Sequence, residues 1–426
     1  MRTKISLLLL FVSMLMCNAR AQEKLSLSLE DARQYALQYN RTLKNAGLSV
    51  KEAQSALWTS ISQGLPQIQV SGTYQNYLGA TATLEGMQIV FGQSGSMQTQ
   101  VSQMLFNGSY WIGVQLSKLS KQIAETSRRK TEQDVIQQVT ASYNSILVSD
   151  KTTKLLKENE TNLLEIQKKT QATVNAGAAT QTDADQIEVQ VSSVENMIKS
   201  NERQIELAYN MLRIQLGVKA NTIIELKDSL GSLMNEDKTF KLLGEQFDAS
   251  KNPTMQLTEQ QLDASKKQVK LQQASWLPVI SGYYSYTYKY IKPLLDLTPS
   301  NVVGLQASWP LFTSGGTYSK IKQARFKVQE NENSLAALKD QLMVQEKQAR
   351  FNLSNALDKL NTQTKSLEVS NKVFADISRK HDHGMATSLD VTTASNNLLQ
   401  VQTNYVTALY EVLTAKTDLE QLLNKF

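Results

Sequence analysis

The sequence predicts a mainly α-helical chain in which a duplicated pair of β-strands alternates with long coiled-coil helices. Three observations lead to this fold class. The chain has only six Pro in 426 residues, which is typical of long helices because Pro breaks a helix interior. Short motifs recur once at a nearly constant distance, which indicates a duplicated unit. Within each copy, stretches with a period of two alternate with longer stretches with a heptad period.

Residues 1–21 have the features of a secretory signal peptide. A basic start precedes an apolar run over 5–17 that is too short to span a bilayer, and small residues form a cleavage site that ends at Ala21. We therefore predict cleavage after Ala21. Lipid modification at Cys17 is an alternative, but it is the weaker one because Met16 stands where a small residue is expected.

The composition argues against several functions. The full chain has 45 Lys+Arg and 39 Asp+Glu. Removing 1–21 takes away three basic residues, so the net charge falls from +6 to +3, which is too small to indicate nucleic-acid binding. Two His and one Cys cannot build a Cys/His zinc site of the usual ligand number, and no nucleotide-binding or nucleophile motif occurs. We therefore predict no enzyme, no cofactor, no metal site and no nucleic-acid partner.

Three motifs occur twice in the same order, at offsets of 212, 206 and 207 residues. A Leu-Pro pair precedes a period-two stretch, a Leu-Phe pair followed by Gly precedes a long heptad stretch, and Gly-x-x-Thr-x-x-Asp separates two heptad stretches. Their positions are Leu65-Pro66 and Leu277-Pro278, Leu105-Phe106 and Leu311-Phe312, and 177–183 and 384–390. The sequence thus predicts a first structural repeat over 22–240 and a second over 241–426.

Four stretches are predicted as β-strands, at about 66–78, 97–106, 278–291 and 302–312. Each alternates apolar with polar residues, although 97–106 does so poorly and Tyr283 interrupts the polar face of its strand. Strands of about ten residues with one apolar and one polar face are typical of membrane β-strands between lipid and water. Four strands are too few to close a barrel, and an open edge cannot lie in lipid. We therefore expect several copies of the chain to share one barrel.

The rest of the sequence predicts long helices. From Val391 to Phe426 apolar residues recur at alternating steps of three and four, and the same steps run from Ala184 to Gln215. This 3.5-residue repeat is the seam of a coiled coil. The preceding stretches, about 110–174 and 318–377, are also heptad-like, and about 60 helical residues would extend roughly 90 Å.

In the order and duplication of these motifs, the sequence resembles the outer-membrane efflux proteins typified by TolC, over nearly the whole mature chain. The resemblance implies a homotrimer with a trimeric 12-stranded β-barrel in the outer membrane, continuous with a 12-helix α-barrel in the periplasm. It also implies an equatorial region at about 218–250 plus the termini. The segments 78–97 and 292–301 would be extracellular loops.

The same resemblance implies an exit channel of a tripartite pump that exports small toxic molecules across the periplasm and outer membrane. Its expected partners are a periplasmic adaptor (membrane fusion) protein, an inner-membrane RND or ABC transporter and outer-membrane lipid. A channel of a type I protein secretion system remains an alternative. A secreted coiled-coil scaffold without a pore is a remote one, which the period-two aromatic segments disfavour.

The resemblance also assigns roles to the two turns between heptad stretches. Adaptor-docking turns at the periplasmic tip would contain Gly177, Thr180, Gly384 and Thr387, and the periplasmic aperture would contain Asp390, Thr393, Asp183 and His381. Relatives carry a second acidic residue where Thr393 stands and a basic one where Ala386 stands. From the residues alone, Gly ends a helix and Thr-x-x-Asp caps the next. Capping alone and capping plus pore lining both stay open for Asp390, whereas capping alone is favoured for Asp183.

Two further patterns have competing interpretations. His381-Asp382-His383 suggests a metal site, but residues two apart on a helix do not face the same way, so this interpretation is disfavoured. We hypothesise instead that His381 reaches Asp183 in the closed state and that protonation tunes the contact. The Tyr-rich face of 278–291 is interpreted as facing lipid rather than as a ligand-stacking surface.

Overall fold

The computed structural model describes residues 24–84, 87–234, 236–292, 296 and 298–426. The predicted signal peptide and Cys17 lie outside the described residues. In the part that is described, no helix is long and apolar enough to cross a membrane. The chain divides into two compact units. We call Met1–Asn45, Lys130–Asn252 and Gln341–Phe426 the hub unit, and Ala46–Arg129 and Pro253–Asp340 the sheet unit.

The elements follow the duplicated order that the motifs predict. In chain order they are β1 (Lys24–Leu27), α1 (Leu29–Tyr39), α2 (Arg41–Ser62), β2 (Gln67–Asn76), β3 (Thr81–Leu84), β4 (Met87–Val90), β5 (Gln93–Asn107), α3 (Gly108–Asn175), α4 (Gln181–Leu216), β6 (Ile223–Leu226), α5 (Glu236–Leu243), α6 (Pro253–Ala274), β7 (Val279–Ile291), β8 (Asn301–Ser308), α7 (Gly316–Asp382) and α8 (Ser388–Leu422). The chain is mainly helical, as predicted.

The sheet unit contains a four-stranded antiparallel sheet in the order β2-β5-β7-β8. Its register aligns the apolar positions of all four strands in rows, such as Ile68, Val101, Tyr284 and Val303. Because side chains alternate between the two faces of a strand, this register gives the sheet one apolar and one polar face. Within the described strands, the outer edges of β2 and β8 have no partner.

The irregular alternation of β5 has a structural cause. Its pairing with β7 shifts register between Gly95 and Ser96 and again between Met104 and Phe106. At the first shift the residue without a facing partner is Tyr290 of β7, and at the second it is Leu105 of β5. Only the second shift therefore exchanges the face on which the following β5 residues lie. The strand begins at Gln93, earlier than the predicted 97, because its pairing with β2 extends back to Asn76.

Tyr283, the aromatic exception on the polar face, lies opposite Gly304 on β8. A Cβ atom at position 304 would come within 2.5 Å of the Tyr283 ring. The ring thus lies on the backbone of the neighbouring strand, and the exception does not alter the assignment of the two faces.

Two expectations for the strand ends need correction. The predicted strand 302–312 is too long, because β8 ends at Ser308 and Pro310 has no N–H to donate to a ladder. The predicted loop 78–97 contains a hairpin in which Thr81 pairs with Val90. Of the other predicted loop, residues 293–295 and 297 lie outside the described residues.

The hub unit has helices packed around a small parallel sheet. β1 pairs with β6, and Lys24 on β1 forms an ion pair of 2.8 Å with Glu225 on β6. Its apolar core combines residues of α1, α3, α4 and α8 with the two short strands. The predicted equatorial segment therefore contains β6, and its later part contains α5, whose end accepts hydrogen bonds from Arg350 of α7 through the carbonyls of Leu243 and Glu245.

The two predicted seams are buried in the hub unit. On α4, Ile187, Val191 and Val194 are buried, and the polar position Asn201 donates to Ser149 O at 2.7 Å. On α8 the buried surface is wider than a single seam. One row, which consists of Val406, Leu409 and Leu413, packs with α3. The other row, which consists of Val412, Ala415 and Leu419, packs with Leu353 and Ala356 of α7.

Tyr143 of α3 is fully buried, and its hydroxyl makes polar contacts that no sequence pattern indicated. Its hydroxyl lies 2.9 Å from Asp228 Oδ2 and 3.1 Å from the carbonyl of Leu27, and the Asp228 carboxylate also accepts from the N–H of Leu29 at 2.7 Å. Burial and the neighbouring Asp228 raise the pKa of Tyr143. This hydroxyl joins the ends of β1 and β6 to a long helix.

We predict that Tyr143→Phe destabilises the protein by about 1–3 kcal/mol, because it leaves buried acceptors short of a donor. The measurement is the denaturant midpoint of the far-UV circular dichroism signal. Tyr209→Phe is the matched control, since this half-buried hydroxyl makes no side-chain hydrogen bond within the described chain. Equal midpoints for the two variants would contradict the assigned role.

Candidate functional site: two capped turns and a two-faced sheet

Both Gly-x-x-Thr-x-x-Asp motifs form the same kind of turn between two long helices. Gly177 has φ +75° and Gly384 has φ +70°, a left-handed conformation that favours Gly. At the first turn, Ala178 N–H bonds to Thr173 O at 3.0 Å and Gly177 N–H to Val174 O at 2.9 Å. At the second, the equivalent bonds run from 385 to 380 and from 384 to 381, at 2.8 and 2.9 Å. Both are Schellman ends.

The helix after each turn begins with a capping box. Thr180 and Asp183 bond reciprocally, with Asp183 Oδ2 accepting from Thr180 N–H at 3.0 Å and Thr180 Oγ1 accepting from Asp183 N–H at 3.3 Å. In the second turn, the same two bonds between Thr387 and Asp390 measure 2.8 and 3.1 Å. The capping interpretation of these residues therefore matches their geometry.

The capping carboxylates are charged and lie near solvent. Hydrogen bonds from the Thr387 side chain and backbone lower the pKa of Asp390, and the same bonds from Thr180 lower the pKa of Asp183. Both groups are thus ionised at neutral pH. Asp390 and Thr393 are both exposed on α8, so either can face water in a tunnel.

Two contacts that the sequence did not indicate link the end of α3 to the second turn. Lys169 forms an ion pair of 2.9 Å with Asp382, and Lys169 lowers the pKa of that carboxyl group. Ser388 Oγ lies 2.7 Å from Thr170 Oγ1 and 3.3 Å from His381 Nε2. Lys169 and Asp382 are 213 residues apart in the chain, and Thr170 and Ser388 are 218 apart, so only the fold brings each pair together.

The predicted contact of His381 with Asp183 is absent within the described chain, where His381 contacts Ser388 and Asp183 bonds to Thr180. In the described residues, no group of three or more His, Cys, Asp or Glu side chains could hold a metal ion.

A groove of about 350 Å³ lies between the N-terminal part of α4 and that of α8. Its walls include Asp183, Asp185, Ile187, Val189 and Leu389. Val189 and Leu389 are 66% and 59% exposed. The groove therefore offers apolar surface beside two carboxylates, and no basic side chain lines it.

The sheet unit exposes its apolar face and a set of tryptophans. Tyr284, Tyr286, Tyr288 and Tyr290 of β7 are between 44% and 60% exposed. The four Trp of the sequence, Trp58, Trp111, Trp276 and Trp309, lie within ten residues of a strand end, and all are exposed. Tyr and Trp at such positions are typical of a membrane–water interface.

Comparison with known proteins places this architecture in a class of membrane channels. A family model described as outer membrane efflux protein matches residues 32–218 and 249–425. The chain is similar to the outer membrane efflux protein BepC of Brucella suis, with 22% identity over 92% of this chain and 84% of BepC. It is also similar to the proteases secretion protein PrtF of Dickeya chrysanthemi, with 22% identity over 98% of this chain and 92% of PrtF.

Solved structures share the fold. The CmeC outer membrane channel of Campylobacter jejuni has a TM-score of 0.77 with 16% identity, over 93% of this chain and 85% of CmeC. The outer membrane protein VceC of Vibrio cholerae has a TM-score of 0.75 with 17% identity, over 93% of this chain and 95% of VceC.

The chain belongs to the outer membrane efflux protein family, which confirms the resemblance seen in its motifs. It is an outer-membrane protein of the TolC-like class, with its helical tunnel in the periplasm. The family and its solved members are channels rather than enzymes.

Thr387→Val should loosen the first turn of α8, because the cap oxygen that satisfies a free helix N–H is lost. Hydrogen exchange of peptides that cover 387–391 should become faster. Thr180→Val is the matched variant and should affect peptides that cover 180–184 instead. Faster exchange at both turns in either variant would contradict independent caps.

Proposed function

We propose that three copies of the chain form an exit channel for small toxic molecules, with a 12-stranded β-barrel in the outer membrane and a 12-helix α-barrel in the periplasm. The observation that supports this proposal is the four-stranded sheet, which has one apolar face, one polar face and two edges without a partner in the described chain. In lipid every backbone N–H and C=O needs a partner. Pairing of β8 of one copy with β2 of the next would satisfy both edges, and three copies of four strands would close a ring of ordinary size.

The duplicated order supports the same assembly for the helices. Each repeat, 22–240 and 241–426, supplies one pair of sheet strands and one pair of long helices joined by a capped turn. Three copies would thus contribute twelve helices. The equatorial region at 218–250 plus the termini would be the hub around β1 and β6, where Lys425 also forms a 2.5 Å ion pair with Glu245.

The two turns suit a periplasmic tip. We assign Asp390, Thr393, Asp183 and His381 to the aperture, and Gly177, Thr180, Gly384 and Thr387 to the turns on which a periplasmic adaptor docks. The groove beside these turns fits a partner that brings apolar side chains and a cation, because its walls are apolar and acidic.

Transport through such a tube is passive, so a partner must supply the energy. An inner-membrane RND or ABC transporter has that role in our proposal. PrtF is named for protease secretion, and this relative favours the second candidate function, a type I protein secretion channel. The similarity to BepC, named for efflux, favours export of small molecules.

Purified protein should conduct ions in planar bilayers and run as a heat-modifiable trimer. If Asp390 lines the aperture, Asp390→Asn should lower the K⁺/Cl⁻ permeability ratio, because a ring of carboxylates favours cations. Asp183→Asn changes the equivalent cap in the first turn, where capping is the favoured role, and should lower the ratio less than Asp390→Asn does. Absence of conductance would refute the channel. Equal K⁺/Cl⁻ permeability ratios in the native protein and both variants would refute only the role of Asp390.

The Trp residues of the sheet unit should report contact with outer-membrane lipid. In reconstituted vesicles, phospholipids brominated near the headgroup should quench Trp fluorescence more than those brominated deep in the acyl chain. Met385→Trp is the control, since it adds an exposed Trp in the second turn. Because this Trp should escape quenching, the quenched fraction of the total Trp emission should be lower in the variant than in the native protein. Absence of quenching in the native protein would contradict a membrane location for these residues.

A further inference from the structure

The polar face of the four-stranded sheet carries almost no charge. In β2, β5, β7 and β8, all of which the structure describes, Lys289 is the only Lys, Arg, Asp or Glu. Gln and Ser occupy much of the polar face. Gln69 pairs with Gln100, Ser71 with Gln98, and Gln100 with Ser285 on the opposite side.

The single charge on this face is neutralised within the same chain. Lys289 has a side chain only 10% exposed, forms an ion pair with Asp296, and donates to the carbonyl and the hydroxyl of Thr298 at 2.6 Å each. Opposite charges in contact cancel at distances beyond their separation, and salt screens the remainder over about 8 Å. The polar face therefore presents amide and hydroxyl groups without net fixed charge.

Fixed wall charges are the usual means by which a wide water-filled pore distinguishes anions from cations. We infer that the section of the channel lined by this sheet has no charge filter, so that solutes of either sign pass it and are restricted there by size alone. The inference rests on the proposed channel, in which the polar face lines the lumen. Any preference for charge sign must then arise outside the sheet.

The experiment measures reversal potentials of single channels in a KCl gradient. Gln100→Glu should raise the K⁺/Cl⁻ permeability ratio, because it adds one carboxylate per chain to the lumen wall. Gln69→Glu introduces the same charge from the paired position on β2 and should cause a shift of the same sign, so a folding defect in one variant leaves the other as a test.

The native ion pair supplies the decisive comparison. Lys289→Gln alone should raise the K⁺/Cl⁻ ratio, because Asp296 loses its counter-charge. The double variant Lys289→Gln/Asp296→Asn should return the ratio to that of the native protein. A double variant that shifts the ratio as far as Gln100→Glu would overturn the inference while leaving the channel intact. Glu variants that conduct without any shift would show that this face does not line the lumen and would overturn it as well.

Discussion

The unpaired backbone edges of β2 and β8 determine how this protein can be placed in a membrane. Inside lipid, each N–H and C=O group without a partner costs several kcal/mol. None of the other described strands pairs with these edges, since β1 pairs with β6 and β3 pairs with β4. A membrane sheet of this kind is stable only when strands of other chains complete it. In the barrel that we propose, the two faces of the sheet would meet lipid and lumen, and the aromatic residues at its ends would lie at the membrane–water interface.

Local sequence was sufficient for most of the secondary structure. Heptad spacing predicted the long helices, because an apolar stripe on a helix must be buried against neighbours. The duplicated Gly-x-x-Thr-x-x-Asp motif predicted both capped turns, since its Gly ends one helix and its Thr and Asp cap the next. Alternation predicted β7 well and β5 poorly. The extra residue Leu105 contributes to the difference, because it moves the β5 residues that follow it to the other face.

Long-range contacts could not be predicted in the same way. Tyr143 bonds to Asp228, and Lys169 pairs with Asp382, over separations of 85 and 213 residues. A single side chain of this kind leaves no periodic signal in the sequence. The resemblance to a known family named the residues of the aperture and the docking turns. Among these residues, the structure shows the two capping boxes, Thr180 with Asp183 and Thr387 with Asp390.

The hub unit draws on three separate stretches of the chain, and this affects when it can fold. β1 finds its parallel partner in β6, about 200 residues later, and the core also requires α8 from the last stretch. Contacts between residues so far apart in sequence form slowly, because a long loop must close first. During export the apolar seam of α4 therefore emerges well before the surface of α8 that covers it. Until the final stretch arrives, the seam of α4 lacks part of the apolar surface that covers it, so resistance to proteases should develop only after export of the chain is complete.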